Sequence, residues 1–226
     1  MQTGKLSIVA TPIGNLEDMT YRAVRTLSEA DYVLCEDTRV TGILKQRYQI
    51  DTPLKRYDAH ASDQTHTQII ADLESGKHVA LVSDAGTPGV SDPGVLLVQQ
   101  AREADILIEA IPGPSAITTA ISLAGIAGNQ FTFLGFVPQK KGRETFFATI
   151  HECIQPAVCF ESTHRIIKAL EQLAKLQPTA MVYLGRELTK MHEELLVGTP
   201  SDLLKTLTNT PVKQKGEFVM MIDTRQ

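Results

Sequence analysis

Three stretches rich in Gly, Pro and small polar residues hold much of the chemistry this sequence can offer. They are TPIGN (11–15), SDAGTPGVSDPG (83–94) and PGPS (112–115). Gly lets backbone approach a ligand closely, and Pro stiffens the wall around it. None of them reads GxGxxG or GxxxxGK[ST], so neither a dinucleotide pyrophosphate nor a nucleoside triphosphate is well provided for. The middle stretch instead carries Asp84 and Asp92. Carboxylates repel phosphate, so a ligand bearing an ammonium or sulfonium group suits this stretch better. Asp84 has no helix directly behind it to cap, which favours a ligand role. Asp92 precedes Pro93 at the start of a helical pattern, where an N-cap is the simpler reading. Ser115 stands in the same position before the next helix. Glu36, Asp37 and Arg39 in CEDTR and Arg186, Glu187 and Lys190 in GRELTK are further groups able to handle a proton or a developing oxyanion. For Asp37 an N-cap competes with that role. His164 stands alone at a helix start, where a structural role is the simpler reading.

The elements that must position these groups are legible from periodicity. In the first half, strand patterns at 6–10, 32–35, 54–57, 79–82 and 106–111 alternate with helical patterns at 21–29, 40–48, 63–75, 93–103 and 116–123. Continuous apolar strands separated by helices imply βαβ units and a mainly parallel sheet. The three small-residue stretches then leave the carboxyl ends of strands, where open α/β sheets bind ligands. Beyond an uncharged segment containing AGIAGNQ (124–130) the spacing is less regular. Strand patterns fall at 131–134, 157–160, 181–184, 194–197 and 218–222, and helical patterns at 143–150, 164–175 and 200–207. Thr199 and Pro200 form a good helix start. The reading is α/β with two domains, 1–118 and 119–226.

The 226 residues are 42% hydrophobic and 21% charged, which are ordinary globular values. Aromatics make up 5% with no Trp, which argues against single-strand binding on stacked aromatic platforms. Twenty-two Lys and Arg stand against 26 Asp and Glu, a net charge of −4. A nonspecific nucleic-acid coat and a polybasic membrane anchor are therefore poor starting guesses. The charge is uneven: residues 1–113 hold 10 basic and 16 acidic groups, and residues 114–226 hold 12 and 10. Local basic clusters are Lys140, Lys141 and Arg143, and Arg39, Lys45 and Arg47, each of which can equally be a solvated face. Three Cys without CxxC spacing read as free thiols. Six His without HxxH or HExxH spacing imply no metal. The start of the chain lacks a signal-peptide pattern and no stretch of 18 apolar residues occurs, so a cytoplasmic protein is expected.

Eight segments follow one another from residue 10 to 222: ATPIGNLEDMTYRAVRTL, CEDTR, SDAGTPGVSDPG, IPGPSA, FLGFVPQKKGRE, ESTHRI, YLGRELTKMHEE and KGEFVMMI. Together they resemble the tetrapyrrole methylase superfamily. Within it they are most similar to the branch that methylates the ribose 2′-hydroxyl of a cytidine in the decoding region of bacterial 16S ribosomal RNA. The loops TPIGN and SDAGTP stand where tetrapyrrole-acting members carry GxGxGD-like and GDP motifs, which disfavours a porphyrin or corrin substrate. The resemblance implies S-adenosylmethionine bound between two α/β domains. It implies cofactor contacts from Pro12, Asp84, Ala85, Gly86, Thr87, Ser115 and Ala116, and from Phe160, Glu161, Leu184 and Gly185. Glu36 or Asp37 would be the base and Arg39 a phosphate or oxyanion contact. RNA would meet Lys140, Lys141 and Arg143, followed by Lys45 and Arg47. A homodimer acting on 16S RNA within the 30S subunit is the implied assembly. The competing expectations are a methyltransferase of tetrapyrroles and a noncatalytic ribosomal RNA-binding module.

Overall fold

The short apolar runs become strands of two five-stranded sheets, one in each half of the chain. The computed structural model describes residues 4–59, 61–126 and 129–225. Residues 127 and 128 of the AGIAGNQ stretch lie outside them. The chain divides into two compact units, Met1–Ser115 and Ala116–Gln226. The division expected after residue 118 falls inside the helix that opens the second unit.

In the first unit β1 (Lys5–Val9), β2 (Tyr32–Cys35), β3 (Leu54–Arg56), β4 (His78–Leu81) and β5 (Leu107–Ile111) alternate with helices. These are α1 (Tyr21–Glu29), α2 (Thr38–Tyr48), α3 (Asp63–Glu74) and α4 (Val95–Glu103). The sheet order is β3-β2-β4-β1-β5, and every pair is parallel. The connections after β1 and β2 run toward the β3 edge; those after β3 and β4 run toward the β5 edge. Right-handed crossovers in opposite directions put the helices on opposite faces. Strand alternation records this. Val9, Val33, Cys35, Ala80 and Val82 pack with Ala23 and Leu27 of α1 and Leu44 of α2. Leu6, Leu34, Val79 and Leu81 pack with Ile69 and Leu73 of α3 and Leu97 and Ala101 of α4. The helices start where a side chain can satisfy a free amide. Thr20 accepts from the Ala23 N–H, Asp37 from Arg39, and Ser62 from Thr65.

The second unit comprises α5 (Ala116–Ala124), β6 (Thr132–Phe136), α6 (Arg143–Ala148), β7 (Ala157–Glu161), α7 (Ile166–Leu176), β8 (Met181–Arg186), β9 (Glu194–Gly198), α8 (Pro200–Asn209) and β10 (Phe218–Asp223). Its order is β6-β7-β10-β8-β9. Only β6 and β7 run parallel; the other neighbours are antiparallel. This mixed sheet explains the irregular spacing, because β8 and β9 join without a crossover helix. The β6–β7 register shifts between Phe133 and Phe136, with Gly135 at φ +71° between them. One core joins Phe147, Leu170, Leu173, Leu203 and Leu207 of the helices to Cys159, Val182, Leu184 and Met220 of the sheet. α5 lies against β8 and β10. Two helices are shorter than the periodicity implies: α6 gives way to a 3₁₀ turn over Thr149–Glu152, and α7 begins at Ile166. The three cysteines are free. Among the described residues no helix is long and apolar enough to cross a membrane.

The start of α8 is reciprocal. The Thr199 hydroxyl accepts from the Asp202 N–H at 3.3 Å, and the Asp202 carboxylate accepts from the Thr199 N–H at 3.3 Å. Thr199→Ala is expected to cost about 1 kcal/mol of stability, read as a lower urea midpoint with an unchanged m-value.

Candidate functional site

β1 and β4 lie side by side at the centre of the first sheet, and their connections leave in opposite directions. This is the switch point at which open α/β sheets form a crevice. The loops beyond the two strands are joined directly. The Thr11 N–H donates to the Gly86 carbonyl at 2.9 Å, and the Gly86 N–H returns to Thr11 at 3.0 Å. The Thr11 hydroxyl donates to the Ser83 carbonyl at 3.0 Å. Gly86 sits at φ +81°, a conformation that glycine alone adopts without strain. The loop beyond β5 joins them: the Ala10 N–H donates to Ile111 at 3.1 Å, and the Thr87 hydroxyl donates to Pro114 at 3.4 Å. A side chain at Gly113 would place its Cβ 3.1 Å from that of Ala10. The loop beyond β2 is held by Asp84, whose Oδ1 accepts the Asp37 N–H at 3.0 Å. Pro12, Asp84, Ala85, Gly86, Thr87, Glu36 and Asp37 are thus carried on one connected set of loops. Ala85 is exposed at its surface, whereas Pro12 and Gly86 are buried within it. Ser115 and Ala116 mark the entry to α5 and are partly exposed.

The carboxylates here are not equivalent. Asp92 is pushed up to about 6, first by burial and then by the charge of Glu36, with Asp84 adding to it. Glu36 is also raised, first by burial and then by Asp84. Asp37 moves the other way, to about 2, because the Arg39 side chain and backbone both donate to it. Arg39 holds that carboxylate with Nε at 3.0 Å and Nη2 at 2.6 Å while remaining 89% exposed. Asp37 also caps α2, so it is a structural group and a poor proton acceptor at neutral pH.

Asp92 corrects the sequence reading. It does not cap a helix: α4 begins at Val95, with Gly94 in the capping position and no side chain bonded there. Gly94 stands at φ +124° and passes so close to Leu81 that an added Cβ would lie 2.7 Å from Leu81 Cδ2. A residue at that φ lies outside the helical range, so α4 starts two residues later than the spacing implies, and the Asp92 carboxyl stays near Glu36 and Asp84. The signal in the sequence was a Gly between Pro93 and the first helical apolar residue.

The second unit brings other corrections. Phe160 is partly exposed and meets Phe133 edge-on at 5.1 Å and Phe136 at 5.2 Å. Glu161, expected at the cofactor, has a fully buried carboxylate. Oε2 lies 2.8 Å from Arg143 Nη1 and Oε1 lies 3.0 Å from Arg165 Nε. Arg143, expected to meet RNA, is only 3% exposed, because its guanidinium serves this pair. Lys140 and Lys141 do face solvent. Leu184 points into the core at 0% exposure, and Gly185 packs under Leu188. Arg186 is buried and donates to the carbonyls of Lys215, His192 and Val212. Glu187 and Lys190 pair with each other at 3.0 Å, and Lys190 also meets Glu217 at 3.1 Å. In the first unit the ammonium of Lys45 donates to the Thr52 carbonyl, whereas Arg47 is exposed.

The elevated Asp92 has a thermodynamic consequence. Its folded pKa lies above the ordinary 3.8, so the folded protein binds the proton more tightly than the unfolded chain. The resulting stabilisation is complete below pH 3.8 and is lost as pH rises to about 6. Asp92→Asn is expected to melt higher than the parent at pH 7.5 and at the same temperature at pH 3, by calorimetry in both buffers.

The fold and the sequence agree with known proteins. Residues 5–204 match the family model of tetrapyrrole (corrin/porphyrin) methylases. A protein from Thermotoga maritima named ribosomal RNA small subunit methyltransferase I is 38% identical over 223 residues, covering 99% of this chain and 100% of that protein. The Haemophilus influenzae protein of the same name is 41% identical, covering 98% of this chain and 79% of its own. Among solved structures, a diphthine synthase superposes with a TM-score of 0.77 at 16% identity, covering 99% of this chain and 91% of that one. The uroporphyrin-III-C-methyltransferase of Thermus thermophilus gives 0.65 at 19%, covering 98% and 94%. At such identities these two likenesses speak to fold alone. From the family match and the full-length relatives it follows that the chain belongs to the tetrapyrrole methylase family.

Proposed function

We propose that the protein uses S-adenosylmethionine to methylate the 2′-hydroxyl of a cytidine ribose in the decoding region of 16S ribosomal RNA. In this reading the target is presented by the 30S subunit and the enzyme works as a cytoplasmic homodimer. One observation carries the cofactor class: Glu36, Asp84 and Asp92 are gathered on the loops beyond β2 and β4, where burial raises the proton affinity of Glu36 and Asp92 and the charge of Asp84 adds to both. A sulfonium or ammonium group relieves that crowding, and a phosphate would worsen it. The donor set therefore fits the methyl donor that the family implies. The substrate class rests on the names of the relatives, which are about 40% identical along nearly all of this chain.

When bound, the sulfonium supplies an electrophilic methyl group. Asp84 is the carboxylate assigned to its cationic groups, with the stitched backbone of residues 85–87 forming the wall beside it. A ribose hydroxyl is a weak nucleophile until its proton is removed. Glu36 is the group to receive that proton, since its carboxylate has a raised affinity for one. Asp37 has the opposite shift and a helix to cap, so its role is to orient Arg39. Arg39 keeps its exposed face for an RNA phosphate. Lys140 and Lys141 are the second phosphate contact, whereas Arg143, Lys45 and Glu161 have other partners and are set aside. Arg47 is exposed and stays with these contacts, and the net charge of −4 goes with a weak grip on bare RNA and reliance on the shape of a folded target.

Radiolabelled methyl transfer to 16S RNA, free and in 30S particles from a strain lacking this protein, tests the whole reading; no label in either rejects it. Asp84→Ala is expected to weaken cofactor binding at least tenfold by calorimetry, and unchanged affinity removes Asp84 from the site. Glu36→Gln is expected to lower single-turnover rates by about 10²-fold or more, with Asp37→Asn losing chiefly stability. The reverse order would assign the proton to Asp37.

A further inference from the structure

Two guanidiniums of the second unit share one buried carboxylate. Glu161 at the end of β7 is fully buried between Arg143, 4% exposed at its side chain, and Arg165, 21% exposed. Burying ions costs several kcal/mol each, and an apolar trio of similar volume often serves a core as well. What apolar groups cannot do is donate hydrogen bonds, and each of these arginines directs one of its own to the same short stretch of backbone. Arg143 Nη1 donates to the Pro138 carbonyl at 3.0 Å, and Arg165 Nη1 donates to Val137 at 3.2 Å. The Val137 N–H is held in turn by Phe160 at 3.0 Å. Further along, the Arg143 N–H reaches back to the Lys140 carbonyl at 3.4 Å, with Gly142 at φ +85° making the turn. Both guanidiniums have a second anchor: Arg143 Nε on Gln172 of α7 at 2.7 Å, and Arg165 Nε on Ser162 at 2.8 Å. The segment 137–142 is therefore pinned at both ends, and its free middle carries exposed Lys140 and Lys141.

We infer that Glu161, Arg143 and Arg165 form a positioning device that fixes the basic turn at residues 139–141, so that Lys140 and Lys141 meet an RNA phosphate backbone at a set spacing. The role of the two lysines rests on the function proposed above; the pinning itself does not. Arg143, Arg165 and Glu161 are positioning residues, because they act through the lysines and not on the RNA. Fixing the backbone of the turn before binding removes part of the entropy cost of ordering it at the interface.

Arg165→Lys is the informative variant, since it keeps the charge, is the least buried change and loses the forked donor. Amide exchange at Val137 and Arg143, the hydrogen-bonded amides at the two ends of the segment, is expected to accelerate at least tenfold while β7 and the interior of α7 keep their protection. With 30S particles as substrate, KM for the particle is expected to rise about five- to tenfold, with kcat within twofold and cofactor affinity unchanged. The double change Lys140→Ala with Lys141→Ala should raise the same KM, and adding Arg165→Lys to it should raise KM no further. Unchanged exchange at Val137 and Arg143 overturns the pinning. Additive losses of KM, or a parallel fall in kcat and cofactor affinity, overturn the link to the lysines. If the parent protein transfers no methyl group to the particle, the proposed function fails and the lysine role with it. The exchange measurement then still decides the pinning. Arg143→Lys read by the same exchange experiment gives a second trial from the other anchor.

Discussion

Two backbone hydrogen bonds between Thr11 and Gly86 hold together everything that the first unit offers a ligand. They need a parallel sheet in which β1 and β4 are neighbours, and they need a residue able to stand at φ +81°. Once they form, the loops beyond β1 and β4 are one surface, and the loop beyond β5 joins it through Thr87 and Pro114. The loop beyond β2 is attached by the Asp84 carboxylate on the Asp37 amide. Asp84 thus combines two roles, tying CEDTR to the central strands and adding negative charge beside Glu36 and Asp92. In the function proposed above this set of loops receives a cation, and a preorganised field needs little rearrangement when the ligand arrives.

The second unit solves a different problem with the opposite charge. Its sheet is mixed, its central strands are largely buried, and the buried carboxylate of Glu161 lies between two guanidiniums. Here the ionic groups hold loop backbone and do not line a surface. The overall charge of −4 averages these two regimes and describes neither. In the first unit the acidic excess includes the crowded carboxylates of the candidate site. In the second, part of the basic excess is interior, and the exposed remainder on the 139–141 turn is small.

Strand cores, the alternation of the first half and the starts of α1, α3, α5, α6 and α8 are legible because each depends on neighbours close in sequence, whereas α2, α4 and α7 start two residues away from their expected positions. Thr20, Asp37, Ser62 and Thr199 cap helices as residues of their type do, and the apolar runs of β2 and β7 are buried as such runs are. The position of the three small-residue loops at the carboxyl ends of strands was legible for the same reason. Local spacing favours Asp92 as a cap, whereas Gly94 stands at φ +124°, outside the helical range, and the helix starts only at Val95. Arg143 was misread because it stands next to two exposed lysines in sequence, while its guanidinium reaches a carboxylate 18 residues further along the chain.

By itself the sequence determined the α/β class, the order of elements, the loops that carry the chemistry and the family they resemble. All of these follow from periodicity, capping and motif order, which are properties of short windows. Only the tertiary structure decided which charges are spent and which are available. Asp37 and Glu36 are adjacent residues of the same class, yet one is held low by Arg39 and the other raised by burial and by Asp84. A charge's free energy depends on its solvation and on its neighbours in space, and the fold assigns both.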